Sequence, residues 1–330
     1  MIIAVDAAGG DYAPQEIVKG ALKASQDYKV DIALVGRKSI LNALVKRQPR
    51  TPGLTIVEAS EIINFDEHPI KAVRSKPDSS IVVGINLVKI GEASAFVSAG
   101  NTGAVLGAAL LNLGKIKGVE RPALASVIAI TPDTPLLLID AGANVDCRPK
   151  NLLQFARLGA TYSEQVLGVS SPKIGLLNNG SEEIKGNRLT QETYQLLKES
   201  GLNFMGNIEG QDIFSRKADV IVTDGFVGNI TLKTLEGFGD TFQSLIQQVG
   251  YDFSDVPIHG NLLLSITGLN SWVQRMDYTE YGGACLLGVH GNVIVAHGRS
   301  QSKAIKNAIG LAKITAERGN TPIIKEEKHE

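Results

Sequence analysis

The stretch FVSAGNTGAVLGAALLNLG, residues 96–114, changes from a strand pattern to a helix pattern across a turn of small residues. The apolar run Ala95–Ser98 is short enough for a buried strand, and Gly103–Leu113 has the apolar spacing of a helix. The residues between them, SAGNTG, favour a tight connection. This order predicts a unit in which a buried strand leads directly into the helix that covers it.

The same alternation of apolar runs and helical patterns continues along the chain. Strands are predicted at Ile2–Asp6, Asp31–Val35, Leu54–Ala59, Ala95–Ser98, Ala123–Ile130, Leu136–Asp140, Lys173–Leu177, Asn203–Met205, Asp219–Thr223, Ala284–Val289 and Asn292–Ala296. Helices are predicted at Gln15–Gln26, Ser39–Lys46, Ser80–Gly91, Gly103–Leu113, Lys150–Leu167, Leu189–Glu199, Ile230–Val249 and Ser302–Glu317. Apolar strands that are mostly followed by helices predict an α/β fold, a mainly parallel sheet sandwiched by helices. It would form one unit over residues 1–330, or two coupled lobes around a cleft. The last two strands are typical of an antiparallel hairpin instead.

Residues 235–276 depart from this alternation. A long helix pattern is followed by a break at Gly250–Gly260 and then by a second apolar segment that contains Trp272, the only tryptophan. We expect a protruding helical excursion from the sheet that contacts a partner subunit, a lipid surface or both.

The composition is that of a globular protein without a dominant charge. Of 330 residues, 33 are Lys or Arg and 34 are Asp or Glu, so the formal net charge of −1 offers no field that attracts nucleic acid. The two distant cysteines, Cys147 and Cys285, form no disulfide or metal pattern and fit a reducing compartment. A strand pattern starts at Ile2, and no apolar run reaches the about 18 residues of a membrane span. We therefore expect a cytoplasmic protein that can touch the inner face of the membrane.

Five predicted strands are followed by loops rich in glycine, asparagine, aspartate and serine. These loops are residues 6–11, 98–103, 141–146, 178–187 and 224–229. One such loop is ordinary turn chemistry, but the carboxyl ends of parallel strands share one edge of a sheet. Five of them predict a common ligand-binding floor, to which Asn144, Asn179 and Gly180 contribute.

The loop after Ala95–Ser98 is predicted to bind an anion. The amides of Gly100 and Gly103 lie at the start of a helix, where partial positive charge holds phosphate or carboxylate. Ser98, Asn101 and Thr102 can add side-chain hydrogen bonds. The alternative is that Asn101 or Thr102 only caps the helix. Neither GxxxxGK[ST] nor GxGxxG occurs here, so a nucleotide is not indicated.

Three side chains of the other loops are candidates for catalysis. Lys185, in an acidic and amide-rich loop, is the cation expected beside the anion, the alternative being a solvated surface lysine. Asp224 and Asn229 frame the sequence DGFVGN. They could orient a nucleophile and donate to an oxyanion, or else stabilise a turn and cap a helix.

Cys147 and His297 each have two interpretations. Cys147 has no histidine near it in the sequence, so a role as a small buried hydrophobic residue competes with an acyl-enzyme role. His297 ends a predicted strand and is either a base or a structural histidine. Neither a metal nor an organic cofactor is expected, since no ligand cluster of known spacing occurs.

Many separate motifs of the chain resemble, in one order, those of the PlsX family of bacterial phosphate acyltransferases. The motifs are VDAAGGDYAP, FVSAGNTGA, DAGANVDCRP, GLLNNGSEEIKGN, FMGNIEG, DVIVTDGFVGNITLKTLEG and YGGACLLGVHGNVIVAHG. The resemblance implies transfer of a fatty acyl group from acyl-acyl-carrier protein to inorganic phosphate, for phospholipid synthesis. It also implies a homodimer, a fold related to phosphotransacetylases and to isocitrate and isopropylmalate dehydrogenases, and an active site in a cleft near the dimer interface. The family's proposed active-site lysine and asparagine correspond by motif to Lys185 and Asn229.

The chain departs from the family pattern in two places. Ala8 and Tyr12 stand where the family motif has methionine and histidine, so Tyr12 is given no role. The family's helical excursion is basic and docks on membrane, whereas residues 238–276 contain a single arginine, Arg275, and no lysine. Apolar insertion stays an alternative, but attraction to anionic lipid should be weak.

The residues and the resemblance together predict direct attack of phosphate on a thioester carbonyl. The turn at residues 98–103 holds phosphate, Lys185 balances its charge, Asn229 stabilises the oxyanion, and Asp224 orients phosphate or accepts a proton. A membrane acyltransferase that consumes the acyl phosphate is a further expected partner. The alternatives are a phosphotransacetylase-like enzyme that uses acyl-coenzyme A, a decarboxylating dehydrogenase of related fold, and a non-catalytic carrier-protein-binding scaffold.

Overall fold

Eleven strands of the computed structural model form one sheet within the residues that it describes, 1–46, 52–131, 134–252 and 282–319. The strands are β1 (Ile2–Asp6), β2 (Asp31–Gly36), β3 (Leu54–Glu58), β4 (Ala95–Ser98), β5 (Ala123–Thr131), β6 (Thr134–Ile139), β7 (Ile174–Leu177), β8 (Phe204–Ile208), β9 (Val220–Val222), β10 (Ala284–Leu287) and β11 (Asn292–Val295). Their order across the sheet is β3-β2-β1-β4-β11-β10-β5-β6-β9-β7-β8.

Helices cover both faces of this sheet. The described helices are α1 (Gln15–Tyr28), α2 (Lys38–Val45), α3 (Pro69–Ser75), α4 (Ser80–Lys89), α5 (Thr102–Ala108), α6 (Pro149–Tyr162), α7 (Arg188–Lys198), α8 (Gly225–Asp252) and α9 (Ser302–Arg318). Alternate residues of β1 enter different hydrophobic clusters: Ile3 and Val5 pack with α1 and α9, and Ala4 packs with α4 and α5. The α/β sandwich predicted from the apolar strands is confirmed.

The sheet reverses its direction near the middle. Strands β3, β2, β1, β4 and β11 are mutually parallel, but the pairs β11–β10, β10–β5 and β5–β6 are antiparallel. These reversals leave β6, β9, β7 and β8, which are parallel among themselves, antiparallel to β1 and β4. The expectation that five loops share one edge is therefore wrong. The loops after β1 and β4 lie at one edge, and those after β6, β7 and β9 lie at the other.

The connection between β5 and β6 accounts for the last of these reversals. The first strand ends at Thr131 and the second begins at Thr134. A parallel crossover needs about a dozen residues or more, so two strands this close in the sequence can only be antiparallel neighbours. The one hairpin predicted from the sequence, β10 with β11, is confirmed.

Helix α5 is shorter than predicted. It begins at Thr102 and ends at Ala108, and the chain continues as a π-helical turn over Ala109–Leu113. The single helix predicted over Gly103–Leu113 is therefore two segments.

Helix α8 begins at Gly225 instead of at the predicted Ile230. The carboxylate of Asp224 accepts hydrogen bonds from the amides of Phe226 and Val227, both at 2.9 Å, and so caps the helix. Gly228 packs against the backbone carbonyl of Asp140 without room for a Cβ. The glycine in this segment thus permits close packing of a helical turn, whereas the sequence had indicated a loop.

The first part of the predicted excursion is a continuation of α8, which runs through residues 235–252. Residues 253–276, including Trp272 and Arg275, lie outside the described residues. Among the residues that the structure describes, no helix is long and apolar enough to cross a membrane. Contact of this segment with a partner or with lipid stays a prediction, as does the choice between one unit and two lobes.

Candidate active site

A cavity of about 560 Å³ lies on one face of the sheet and is lined by α5 and α8. Its floor includes Leu124, Ser126 and Ile128, alternate residues of β5 that share a face, together with Ala284 and Val295 of adjoining strands. Its helical walls are formed by Thr102, Gly103, Leu106, Asn229, Leu232, Lys233, Leu235 and Glu236. The cavity extends across this face of the sheet, so loops from both of the opposite edges line it.

The turn after β4 is held by a buried network that begins at Asp6. One oxygen of the Asp6 carboxylate accepts hydrogen bonds from the amides of Ala8 and Gly9, at 3.0 and 3.1 Å. The other accepts from the Ser98 hydroxyl at 2.6 Å, which in turn accepts from the Gly100 amide at 3.0 Å. Burial raises the pKa of Asp6, and the hydrogen bond from Ser98 opposes that shift. Ser98, predicted to bind phosphate, instead holds the turn by linking the Asp6 carboxylate to the Gly100 amide. Gly100 itself lines the cavity.

Asn101 is the N-cap of α5. Its side-chain oxygen accepts from the Ala104 amide at 3.0 Å, and its side-chain nitrogen donates to the carbonyls of Asn64 and Phe65. The capping alternative is therefore what the structure shows for this residue. Thr102 and Gly103, which follow it, line the cavity.

The loop after β6 is organised by Asp140. This buried carboxylate accepts hydrogen bonds from the amides of Leu124 (2.9 Å), Gly142 (3.2 Å), Ala143 (3.0 Å) and Asn144 (2.7 Å), and from the side-chain amide of Asn144 (2.8 Å). Burial raises the pKa of Asp140, and these donors oppose the shift. Asn144, predicted to bind substrate, is buried, and its side chain is hydrogen-bonded within this loop. The residues of the loop that line the cavity are Gly142 and Ala143.

Asn229 lies directly against this loop. A Cβ added to Gly142, whose φ is +139°, would stand 2.6 Å from Nδ2 of Asn229. Only glycine therefore admits the Asn229 amide at this place in the cavity wall. The predicted oxyanion donor and the predicted anion-binding residues Gly100, Thr102 and Gly103 are brought together in one cavity.

Glu236 and His297 form a pair that the sequence analysis missed. Nε2 of His297 lies 3.6 Å from Oε2 of Glu236, whose side chain is 10% exposed, and both residues line the cavity. Burial raises the pKa of Glu236 to about 7 and lowers the pKa of His297. The signal was present in the sequence, because Asn229, Lys233 and Glu236 follow the i, i+4, i+7 spacing of one helix face.

Lys185 does not line the cavity of its own chain. It lies in the loop after β7, where its Nζ is 3.7 Å from Oε1 of Glu182 and its side chain is 47% exposed. Its carbonyl accepts from the Asn178 side chain at 3.1 Å. The neighbouring predicted residues Asn179 and Gly180 belong to the same loop, and Gly180 packs against the Lys185 side chain.

Asp224 and Cys147 also lie outside the cavity lining. Asp224 caps α8, as described above. The Cys147 thiol donates to the carbonyl of Asn144 at 3.4 Å, and burial together with the charges of Asp140 and Asp224 raises its pKa to about 12. A thiol held in its neutral form is a poor nucleophile, so the covalent alternative gains no support. Within the described ranges, no group of three or more His, Cys, Asp and Glu side chains is placed to hold a metal ion.

Comparison with known proteins shows close relatives along nearly the full chain. The family model described as fatty acid synthesis protein matches residues 1–321. A phosphate acyltransferase of Dehalococcoides mccartyi is 57% identical over 328 residues, which are 99% of this chain and 94% of the relative. A phosphate acyltransferase of Thermoanaerobacterium thermosaccharolyticum is 50% identical over 323 residues, 96% of this chain and 93% of the relative.

Two solved structures share the fold at low sequence identity. A phosphotransacetylase from Streptococcus pyogenes has a TM-score of 0.62 and 16% identity, covering 97% of this chain and 94% of that protein. A branched-chain phosphotransacylase from Enterococcus faecalis has a TM-score of 0.59 and 14% identity, covering 97% and 100%. The predicted relation to the phosphotransacetylase fold is confirmed.

Proposed function

The chain belongs to the fatty acid synthesis protein family and is a phosphate acyltransferase, and we propose that it transfers a fatty acyl group from acyl-acyl-carrier protein to inorganic phosphate. One observation carries this proposal. A single cavity joins an apolar surface to the turn at Gly100–Gly103 and to the side-chain amide of Asn229. These are the parts that a long acyl chain, a phosphate and a thioester carbonyl require.

The apolar part of the cavity accommodates the acyl chain. Leu106, Leu124, Ile128, Leu232 and Leu235 line it from two helices and the sheet. Each methylene group that leaves water for such a surface gains about 0.8 kcal/mol, so a long chain binds far more tightly than an acetyl group. This favours a fatty acyl donor over acetyl-coenzyme A, the substrate class of the phosphotransacetylase alternative.

The polar groups are placed for the reaction itself. Asn229 donates to the oxygen of the carbonyl as it becomes an oxyanion, a contribution of about 2.7–4 kcal/mol for one well-placed donor. Thr102 and Gly103 hold phosphate with the Thr102 hydroxyl and the amides of the turn. Because phosphate is already a nucleophile near neutral pH, orientation and exclusion of water contribute more than activation does.

Lys185 completes the phosphate site from a second copy of the chain. Its loop lies at the sheet edge opposite to Gly100, and its side chain is half-exposed. Ile184 beside it is 81% exposed. In the homodimer that the family resemblance implies, this loop is accessible to the partner's cavity. Asn179 and Gly180 then act by shaping the Lys185 loop, and Asp224 acts through its cap on the helix that carries Asn229.

A thiol-release assay tests the proposed function. Decanoyl-acyl-carrier protein and acetyl-coenzyme A are each incubated with the protein, with and without inorganic phosphate. We expect release only with phosphate and much faster release from the carrier protein. Faster release from acetyl-coenzyme A would favour the phosphotransacetylase alternative, and binding of the carrier protein without any release would favour a scaffold. The acyl phosphate product is suited to a membrane acyltransferase, so we propose a cytoplasmic enzyme that contacts the inner membrane face.

A further inference from the structure

We propose that Glu236 and His297 are the proton relay of the acyl transfer, an inference that rests on the proposed function. The two side chains come from different parts of the chain, α8 and the segment after β11, and both face the cavity. Nε2 of His297 lies 3.6 Å from Oε2 of Glu236, just beyond hydrogen-bond distance, so a shortening of about 0.5 Å on substrate binding would let a proton pass between them.

The overall reaction moves one proton from phosphate to sulfur, and a relay in the site can carry it. Hydrogen phosphate attacks the thioester carbonyl, the new carbon–oxygen bond forms, and the carbon–sulfur bond breaks. The products are the acyl phosphate dianion and a thiol. The hydroxyl proton of hydrogen phosphate must therefore leave, and the departing thiolate must gain a proton. Alkyl thiols resemble cysteine, with a pKa of about 8.5, so their thiolates take up a proton near neutral pH, and a donor that supplies it in the transition state speeds their departure.

The pair can both give and take this proton. Burial raises the pKa of Glu236 to about 7 and lowers that of His297, so just below pH 7 the pair holds about one proton, mainly on Glu236. It gives that proton to the sulfur as the thiolate leaves, and it regains one from the phosphate hydroxyl. The pair therefore returns to its starting state after each turnover.

The charged groups around the pair shift its pKa values in opposite directions and partly cancel. Lys233 on α8 and Arg299 after His297 favour the ionised carboxylate, whereas Asp240, one helical turn beyond Glu236, opposes it. Arg299 and Asp240 contact each other at 3.5 Å. Asp11, from the loop after β1, favours protonation of His297. These opposing effects leave burial as the main cause of both pKa shifts.

The position of the pair relative to Asn229 fits this role. Asn229 and Glu236 are seven residues apart on α8, about 10 Å along the helix axis. Both side chains lean toward the helix N-terminus, so the Glu236 carboxyl and the Asn229 amide keep about this separation. The space between them suits one thioester group with phosphate beside it.

The test compares two donors that differ only in the thiol that leaves. Decanoyl-acyl-carrier protein releases an alkyl thiol, and S-(4-nitrophenyl) thiodecanoate releases an aryl thiolate that needs no proton. We expect Glu236→Gln to lower turnover of the first at least about 100-fold and of the second by less than about 5-fold. His297→Gln should show the same selectivity. Glu192→Gln, the same charge change on exposed helix α7, should leave both activities unchanged.

A second measurement uses only the wild type, so it does not depend on a variant that folds. It compares the pH dependence of turnover with the two donors. With the carrier-protein donor, wild-type turnover should fall as the pH rises through about 7 and the pair loses its proton. The aryl donor should lack that decline. Equal losses with both donors in Glu236→Gln, or identical pH profiles, would show that the pair is only structural and overturn the relay. Absence of phosphate-dependent release from either donor by the wild type would refute the proposed function instead.

Discussion

Replacing Gly142 by alanine should displace Asn229 and slow the reaction without unfolding the protein. A Cβ at position 142 would stand 2.6 Å from Nδ2 of Asn229, about 1 Å closer than the ~3.5 Å of ordinary contact. Asn229 must therefore move by about 1 Å, and a misplacement of this size costs roughly 100-fold in rate. The positive φ of +139° adds a cost of about 1–3 kcal/mol in stability, since alanine is strained there.

Turnover with saturating phosphate and unfolding in urea separate the two effects. Gly201→Ala is the matched control, because Gly201 has a φ of +73° but no atom within 4 Å of its added Cβ. It should lose stability and keep wild-type turnover. In an Asn229→Ala background, Gly142→Ala should cause no further loss of turnover, since the displaced amide is gone. Wild-type turnover in folded Gly142→Ala, or the same loss in both backgrounds, would show that Gly142 does not act by admitting the Asn229 amide.

Three further results are expected. Mixing Lys185→Ala chains with Asn229→Ala chains under subunit exchange should restore about a quarter of wild-type turnover, because half the dimers regain one intact site; no recovery would contradict a site shared between copies. The pKa of Glu236 is raised from 4.5 to about 7, so the folded state holds its proton more tightly than the unfolded state does. The free energy of unfolding in urea should then fall by about 2 kcal/mol between pH 5 and 7. Glu236→Gln should lack this slope, and an unchanged slope would assign it to another group. Cys147→Ala should keep turnover within about 2-fold, since its thiol is neutral, and a large loss of turnover would revive the covalent alternative.

The strands were predictable because their burial leaves a direct trace in the sequence. Ile3, Val5, Ile32 and Leu34 are all buried, and each lies in a short apolar run. Direction was harder to predict, because an apolar strand looks the same whether its neighbour is parallel or antiparallel. The two-residue connection from Thr131 to Thr134 did hold that information, and it decides which loops share an edge.

The candidate site was predicted in part for a similar reason. Gly100, Thr102, Gly103 and Asn229 were identified from their loops, and one cavity contains them all. Ser98, Asn101 and Asn144 have the residue types of ligands, but their polar atoms bond to other protein groups: the Asp6 carboxylate, the Ala104 amide and the Asp140 carboxylate, respectively. Local sequence cannot distinguish these uses, because the partners of Ser98 and Asn144 include residues far away in the chain.

The pair Glu236–His297 could not be predicted from the loops after the strands, because Glu236 lies within a helix. Glu236 lies about three turns into α8, and a charged residue on a helix normally faces solvent. Its neighbour His297 lies in the segment after β11, about sixty residues later in the sequence. Only the fold brings these two groups together.

Photolabelling tests most directly that the reaction takes place in the cavity between α5 and α8. An acyl-acyl-carrier protein with a diazirine at the end of its acyl chain is irradiated on the enzyme, and the labelled peptides are identified by mass spectrometry. We expect labels within residues 124–128 and 232–235, removed by excess unlabelled donor. Labels confined to other surfaces, and insensitive to that competitor, would contradict the account.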